Sequence, residues 1–314
     1  MSFRSGFVTL LGRPNTGKST LLNALLGTKV AIVSAKPQTT RTHLQGVLTR
    51  ETAQIVFVDT PGVHRPTSRL DQHMMKAIRE ALEGVDLVLL LVDATRPPGE
   101  EDAQALTLVR EFGGAGFLLL NKIDRVEKPK LLPLIAHYGG LHSFQEFIPL
   151  SALHGDNLGL LEEKIIEYLP EGPPYFPPDT LTDQPERFLA AEIIREKVFN
   201  ETRQEVPYAT AVVVDRFEEP EPTATPGAES AEPARAARPL VRIHATIFVE
   251  KDNHKGILIG ARGERMKRIG QAARQELEEL LGRRVYLELF VKTRAEWRAR
   301  AGVEELIDWR RGEG

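Results

Sequence analysis

The chain has 314 residues, a formal net charge of −3 and no cysteine. That length divides most naturally into two domains, and the lack of cysteine excludes disulfides, thiolate metal sites and cysteine nucleophiles. The opening Met1-Ser-Phe-Arg-Ser-Gly lacks a signal peptide's apolar core, and the longest apolar run, Leu87 to Val92, is too short to span a bilayer, so a soluble, cytoplasmic protein is expected.

The apolar run Phe7 to Leu11 leads into Gly12-Arg-Pro-Asn-Thr-Gly-Lys-Ser19, and Thr20 to Leu26 follows with helical character. Strand, glycine loop and helix in that order make a phosphate cradle. Loop N–H groups turn inward and the helix N-terminus adds partial positive charge. Gly12, Arg13, Pro14, Asn15, Thr16, Gly17, Lys18, Ser19 and Thr20 are therefore candidate nucleotide contacts. Lys18 would reach the outer phosphates, and the Ser19 hydroxyl would ligate magnesium. Residues 31–41, rich in proline and threonine, read as a mobile connection from which a threonine closes over the metal.

Residues 44–50 and 54–59 read as adjacent strands around Glu51-Thr52. The second ends in Asp59-Thr-Pro-Gly62, which places Asp59 at the sheet edge beside the phosphate loop, fit to hold magnesium through water. The Gly62 N–H can approach a terminal phosphate. A helix over residues 71–83, a buried strand over Val85 to Val92, a helix over 100–112 and a strand over Phe117 to Leu120 follow. That last strand ends in Asn121-Lys-Ile-Asp124. The Asp124 carboxylate matches the N1–H and N2–H donors of guanine, which adenine does not offer as a pair, and so specifies GTP over ATP. The next strand, Glu146 to Leu150, ends in Ser151-Ala152, whose N–H groups would meet guanine O6.

These five elements resemble the translation-factor-related GTPases, and Pro14-Asn15 with Gln38-Thr-Thr-Arg41 is similar to the Era branch. The resemblance implies that Thr40, rather than Thr39, is the switch threonine on magnesium, and that Asn15 helps bind a potassium ion near the phosphates. Gln38, Thr39, Thr40, Arg41 and Val63 form the expected switch set. The place where many GTPases carry a water-positioning glutamine is Val63, followed by His64. A valine cannot orient water, so slow intrinsic hydrolysis is expected, driven by electrostatics at phosphate and magnesium. His64 as a general base is the minor alternative to a solvated loop histidine.

Glu171-Gly-Pro-Pro-Tyr-Phe-Pro-Pro178 is too proline-dense for a helix or central strand, so residues 1–172 form the first domain and 173–184 a linker. A helix from Pro185 to about Gln204 and strands over Ala209 to Phe217 and Leu240 to Glu250 follow. Between the strands, residues 219–239 carry five prolines and no aromatic, which predicts a disordered insertion. Charge is uneven along the chain, since residues 251–314 hold 15 Lys/Arg against 11 Asp/Glu. There Gly256-Ile-Leu-Ile-Gly-Ala-Arg-Gly263 opens a basic helical stretch, Glu264 to Leu281, before a last strand at Val285 to Val291. This order matches the KH fold. Gly256, Gly260, Ala261 and Gly263 would admit a nucleic-acid backbone, and Lys255, Arg262, Arg265, Lys267 and Arg268 would supply charge.

The expected architecture is α/β: a P-loop GTPase domain with a doubly wound, mostly parallel sheet, then an α+β type II KH domain over 185–293 and a basic tail over 294–314. The resemblance to the Era family, which now covers nearly the whole chain, implies a GTP-driven switch with GTP, GDP and magnesium as ligands. It further implies binding to the 3′ end of small-subunit ribosomal RNA and a role in small-subunit assembly. A monomer without a DNA partner is expected. Two other readings are a scaffold with structural nucleotide and weak peripheral attachment to the membrane through the tail. The loop Gly-Ala-Arg-Gly departs from the family's usual Gly-Lys-Gly-Gly by moving the charge one position.

Overall fold

The computed structural model describes residues 2–34, 36, 38–219, 240–300, 302–303 and 306–308. The chain divides into two compact units, Met1–Gln184 and Pro185–Trp297, with short pieces of the tail grouped with either.

In the first unit the elements run β1 (Arg4–Leu11), α1 (Lys18–Leu26), β2 (Leu44–Thr49), β3 (Ala53–Asp59), α2 (Arg69–Glu80), β4 (Leu87–Asp93), α3 (Glu100–Phe112), β5 (Ala115–Asn121), α4 (Leu131–Leu141), β6 (Glu146–Leu150) and α5 (Leu158–Tyr168). The six strands form one sheet in the order β2-β3-β1-β4-β5-β6, parallel except for β2. Both β3 and β4 are buried along their whole length, as their unbroken apolar runs require of strands covered on two faces. Because β1 has β3 on one side and β4 on the other, strand order reverses beside its C-terminal end. Crevices at such ends bind ligands in open α/β sheets.

Residues 173–184 group with the first unit instead of spanning free space. The Gln54 side chain on β3 is fully buried and accepts at Oε1 from the N–H groups of Tyr175 (2.7 Å) and Phe176 (2.9 Å). Its Nε2 donates to Phe176 O at 2.9 Å and to Thr49 Oγ1 at 3.0 Å. Further along, Val47 N donates to Leu181 O, and Thr182 Oγ1 donates to Gln45 O. Proline density excludes a helix here but leaves the carbonyls free to pair with an edge strand, and the segment lies as a strap on β2 and β3.

The second unit runs α6 (Glu186–Glu201), β7 (Thr210–Glu218), β8 (Leu240–Val249), α7 (Asp252–Ile259), α8 (Glu264–Leu281) and β9 (Arg284–Thr293). Its sheet has the order β7-β8-β9, with β7 antiparallel and β9 parallel to β8. Helices α6 and α8 pack apolar residues such as Ile194, Val198, Ile269 and Leu277 against Val241, Ile243 and Ile247 of the sheet. Gly256 to Ile259 form the second half of α7, which buries His254 and Leu258 one turn apart, and the glycine turn follows at Gly260 to Gly263. A three-residue apolar run such as Ile257-Leu-Ile259 carries too little periodicity to separate helix from extended chain. The insertion read over 219–239 lies, after Glu219, outside the described residues. In the tail Trp297, Val303 and Leu306 are buried, and Trp297 Nε1 donates to Ala209 O at 3.0 Å. Among the described residues no helix is long and apolar enough to cross a membrane.

Removing the Gln54 carboxamide strands buried groups on the strap. Gln54→Ala is expected to cost about 2–3 kcal/mol, lowering the midpoint of thermal unfolding by several degrees. Limited proteolysis should then cut first within residues 173–184.

Candidate nucleotide site and nucleic-acid surface

The phosphate loop leaves β1 through two glycines that no other residue can replace without a clash. A Cβ on Gly12, at φ 153°, would lie 2.4 Å from Leu91 O, and one on Gly17, at φ 101°, would lie 2.4 Å from Asn121 Nδ2. Lys18 then opens α1 with its side chain almost wholly buried, donating from Nζ to the carbonyls of Gly12 (3.0 Å) and Arg13 (3.1 Å). Burial brings its pKa down to about 8, against the opposing pull of Asp59 and Glu101. The Arg13 side chain turns away from the loop to Asp102 Oδ1 at 3.4 Å, which leaves its backbone as its contribution to the cradle.

Three separated segments converge below the loop. Ser19 Oγ donates to Asp59 Oδ2 at 2.6 Å, and Thr40 Oγ1 lies 3.1 Å from Ser19 Oγ and 3.5 Å from the same carboxylate oxygen. Asp59 is fully buried and its other oxygen, Oδ1, has no hydrogen-bond partner. Burial raises the Asp59 pKa in opposition to Lys18, Ser19 and Thr40. Two hydroxyls and an under-satisfied carboxylate are hard oxygen donors of the kind magnesium takes beside phosphate, so the residues present fit that ion. Gly62 closes the site from the other side, where a Cβ would meet Pro14 N at 2.6 Å, and Val63 N donates to Gly12 O at 3.0 Å. The Val63 side chain is fully buried in the core with Leu11, Ile78 and Val88.

At the far end, Asn121 joins three loops. Its Nδ2 donates to Thr16 O at 2.7 Å, while its Oδ1 accepts from Lys122 N at 2.8 Å and Ala152 N at 3.0 Å. Lys122, left-handed at φ 68°, reaches back with Nζ to Asn15 O (2.6 Å) and Asp93 Oδ2 (2.8 Å). Ser151 Oγ donates to Asp124 Oδ1 at 2.6 Å and so orients the carboxylate read as the guanine selector. Asp93 escaped the sequence reading because it follows Val92 with no motif around it. So did Asp71, which accepts from Gln38 Nε2 and lies 3.0 Å from His64 Nε2. Burial of Asp71 opposes ionisation, but hydrogen bonds with His64, Thr67 and Ser68 prevail and hold its carboxyl at about 2. His64 is thus engaged with Asp71 and, through Nδ1, lies 2.9 Å from Gly62 O. Thr39 Oγ1 donates to Lys36 O, and Arg41 is buried.

In the second unit the glycine loop is a tight turn of positive φ: Gly260 (74°), Arg262 (52°) and Gly263 (78°), with Ala261 between them. A Cβ on Gly260 would lie 2.8 Å from Arg265 Cβ, so the turn is glycine-dependent. Arg265 donates to Ile257 O and thereby caps α7, and Arg268 pairs with Glu201 at 2.9 Å. Arg262 and Lys267 are exposed, and Lys255 is half-buried.

A phosphate loop after β1, a cluster of hydroxyls around Asp59 at the end of β3 and a carboxylate just past the end of β5, followed by a helix-turn-helix on a three-stranded sheet, define a P-loop GTPase carrying a KH domain. Residues 7–122 match the family described as 50S ribosome-binding GTPase, and residues 229–298 match the KH domain family. The GTPase Era of Geobacter metallireducens is 50% identical over 295 residues, covering 94% of each chain, and that of Ruminiclostridium cellulolyticum is 44% identical over 298 residues, covering 95% of each. The chain belongs to the GTPase Era family. Among solved structures, Era in complex with MgGDPNP and nucleotides 1506–1542 of 16S ribosomal RNA is similar with a TM-score of 0.88 at 40% identity. A tyrosine-to-alanine variant of Aquifex aeolicus Era bound to GDP and aluminium fluoride is similar with a TM-score of 0.89 at 40% identity. Each alignment covers 98% of this chain and 99% of the other.

Two outcomes follow from the geometry. Phosphate favours the charged form of Lys18, so above pH 8, where the free protein's Lys18 is mostly neutral, binding must take up a proton. GDP affinity measured by calorimetry should be level from pH 6.5 to 7.5 and fall above pH 8, by at most about tenfold per pH unit. Asp124→Asn sets an amide donor against guanine's donors. Competition binding should show GTP affinity down by about 10⁴-fold, with xanthosine triphosphate, whose O2 accepts, partly restored.

Proposed function

We propose that the chain is a GTP-hydrolysing switch that binds small-subunit ribosomal RNA through its KH domain and acts in assembly of that subunit. The observation that carries the nucleotide half is the meeting of Ser19, Thr40 and Asp59, from three separate segments, around one buried carboxylate with an oxygen left without a partner. In this reading Gly12 to Thr20 and Gly62 hold the phosphates by backbone N–H groups and Lys18. Asn121, Lys122, Asp124, Ser151 and Ala152 hold the guanine. Ser19, Thr40 and Asp59 hold magnesium directly or through water. When bound, magnesium neutralises charge that develops on the phosphate oxygens. Lys18 adds positive charge at the same place, and its exclusion from water strengthens that interaction.

Val63 is buried among apolar side chains, so no side chain at that position reaches an attacking water, and intrinsic turnover is slow. The RNA half rests on the glycine turn at 260–263 with the exposed Arg262 and Lys267 beside it and Lys255 in support. Ala261 and Gly256 contribute backbone and space. Arg265 and Arg268 shape this surface, the first by capping α7 and the second by its pair with Glu201. The complex of Era with the 16S fragment supports RNA as the partner.

The test measures GTP hydrolysis with and without an RNA copying nucleotides 1506–1542 of 16S ribosomal RNA. Wild type is compared with a Gly260→Asp, Gly263→Asp double variant and with an Arg262→Glu, Lys267→Glu double variant, the second of which leaves the turn's glycines intact. Stimulation in wild type and its loss in both variants is the expected result. Absence of stimulation in all three would reject coupling between this RNA and the GTPase. Exchanging potassium for sodium in the same assay tests the potassium role implied for Asn15, with a lower rate in sodium expected.

A further inference from the structure

The segment that carries Thr40 is tied to the domain near both ends, by Asn23 to Val30 and Ala31 and by the burial of Arg41 and Thr42. Among the described residues between Gly27 and Leu44 there is no helix or strand, and at the cluster Thr40 Oγ1 lies 3.1 Å from Ser19 Oγ and 3.5 Å from Asp59 Oδ2. Two residues before Thr40, Gln38 holds a left-handed backbone at φ 59° and donates from Nε2 to Asp71 Oδ1 at 3.0 Å. The same Nε2 is 3.2 Å from His64 Nε2.

Asp71 is equipped to serve as an anchor. Its other oxygen, Oδ2, accepts from Thr67 N (2.9 Å), Thr67 Oγ1 (2.8 Å) and Ser68 N (2.9 Å), which fixes the carboxylate at the start of α2, and Ser68 caps the helix in return. Only 4% of its side chain is exposed. His64, reaching Asp71 through Nε2 and Gly62 O through Nδ1, ties the same carboxylate to the glycine that presses on Pro14 of the phosphate loop. One carboxylate therefore holds both segments that end at the metal-ligand cluster.

We infer that Gln38 and Asp71 form a latch that positions Thr40 on the magnesium cluster and makes the two switch segments of the nucleotide site close together. This rests on the GTPase reading above. Gln38 is a positioning residue, since none of its contacts reaches the cluster itself. Nucleotides that require Thr40 depend on the latch. GDP, held by the phosphate loop and the guanine loops, does not.

Gln38→Asn is the discriminating variant. Asparagine tolerates the left-handed backbone better than other side chains and keeps the amide, but it is one carbon short of Asp71. With GDP affinity and thermal unfolding near wild type, turnover of GTP should fall about tenfold, the strength of one charge-assisted hydrogen bond, and the magnesium concentration for half-maximal rate should rise. Asp71→Asn, which can keep the helix cap through its oxygen, replaces the charge-assisted bond to Gln38 by a neutral amide–amide one and should lower turnover in the same direction by less. The double variant should be no worse than Gln38→Asn alone. A Gln38→Asn protein with wild-type turnover and magnesium requirement, or strictly additive losses in the double variant, would overturn the latch while leaving the GTPase reading in place. A wild-type protein that fails to hydrolyse GTP would overturn both.

Discussion

The nucleotide cleft depends on the carboxamide of Asn121. Three loops meet there, each leaving a different strand. By donating to Thr16 O and accepting from Lys122 N and Ala152 N, the one side chain sets the spacing between the phosphate end and the base end of the cleft. It is nearly fully buried, so each of these bonds works in a low dielectric, and the loss of any partner leaves a buried polar group unpaired. The Lys122 ammonium repeats the tie from outside, joining Asn15 O to Asp93. The cleft is thus cross-braced between its phosphate end and its base end.

Much of this was legible because the chemistry sits at strand ends. Unbroken apolar runs located β3, β4 and β5, and the polar residues that terminate them, Asp59 and Asn121 with Asp124, fall at the sheet edge whatever the details of packing. Asp93, Asp71 and Asp102 were not legible, since each acts through contacts with residues distant in sequence and has no motif around it. Helix α4 carries Pro133 in its first turn and Gly139-Gly140 in its last, residues that mask a helix in sequence, and α7 was hidden in a short apolar run. The proline-rich stretch was rightly read as neither helix nor central strand. That it lies as a strap on β2 and β3 follows from Gln54 of β3 together with the hydrogen bonds of β2 to Leu181 and Thr182, partners that no local pattern could reveal.

In the second unit a cluster of arginines in sequence became a division of labour in space. Arg265 caps α7, whereas Arg268 pairs with Glu201 of α6 and stays exposed, so it lies with Arg262 and Lys267 among the outward basic side chains of this stretch. The shift from Gly-Lys-Gly-Gly to Gly-Ala-Arg-Gly puts the arginine at a position with positive φ, directly beside the second glycine, where the turn itself projects it.

Val63 lies in the packed core, at the place from which other GTPases direct water. Exchanging it for glutamine would push an amide into an apolar cluster without a partner, at a cost of roughly 1–3 kcal/mol. The route by which a single substitution could quicken the unaided enzyme therefore runs through the stability of the domain. A change made at this position for chemistry would thus be felt first in the packing of the domain.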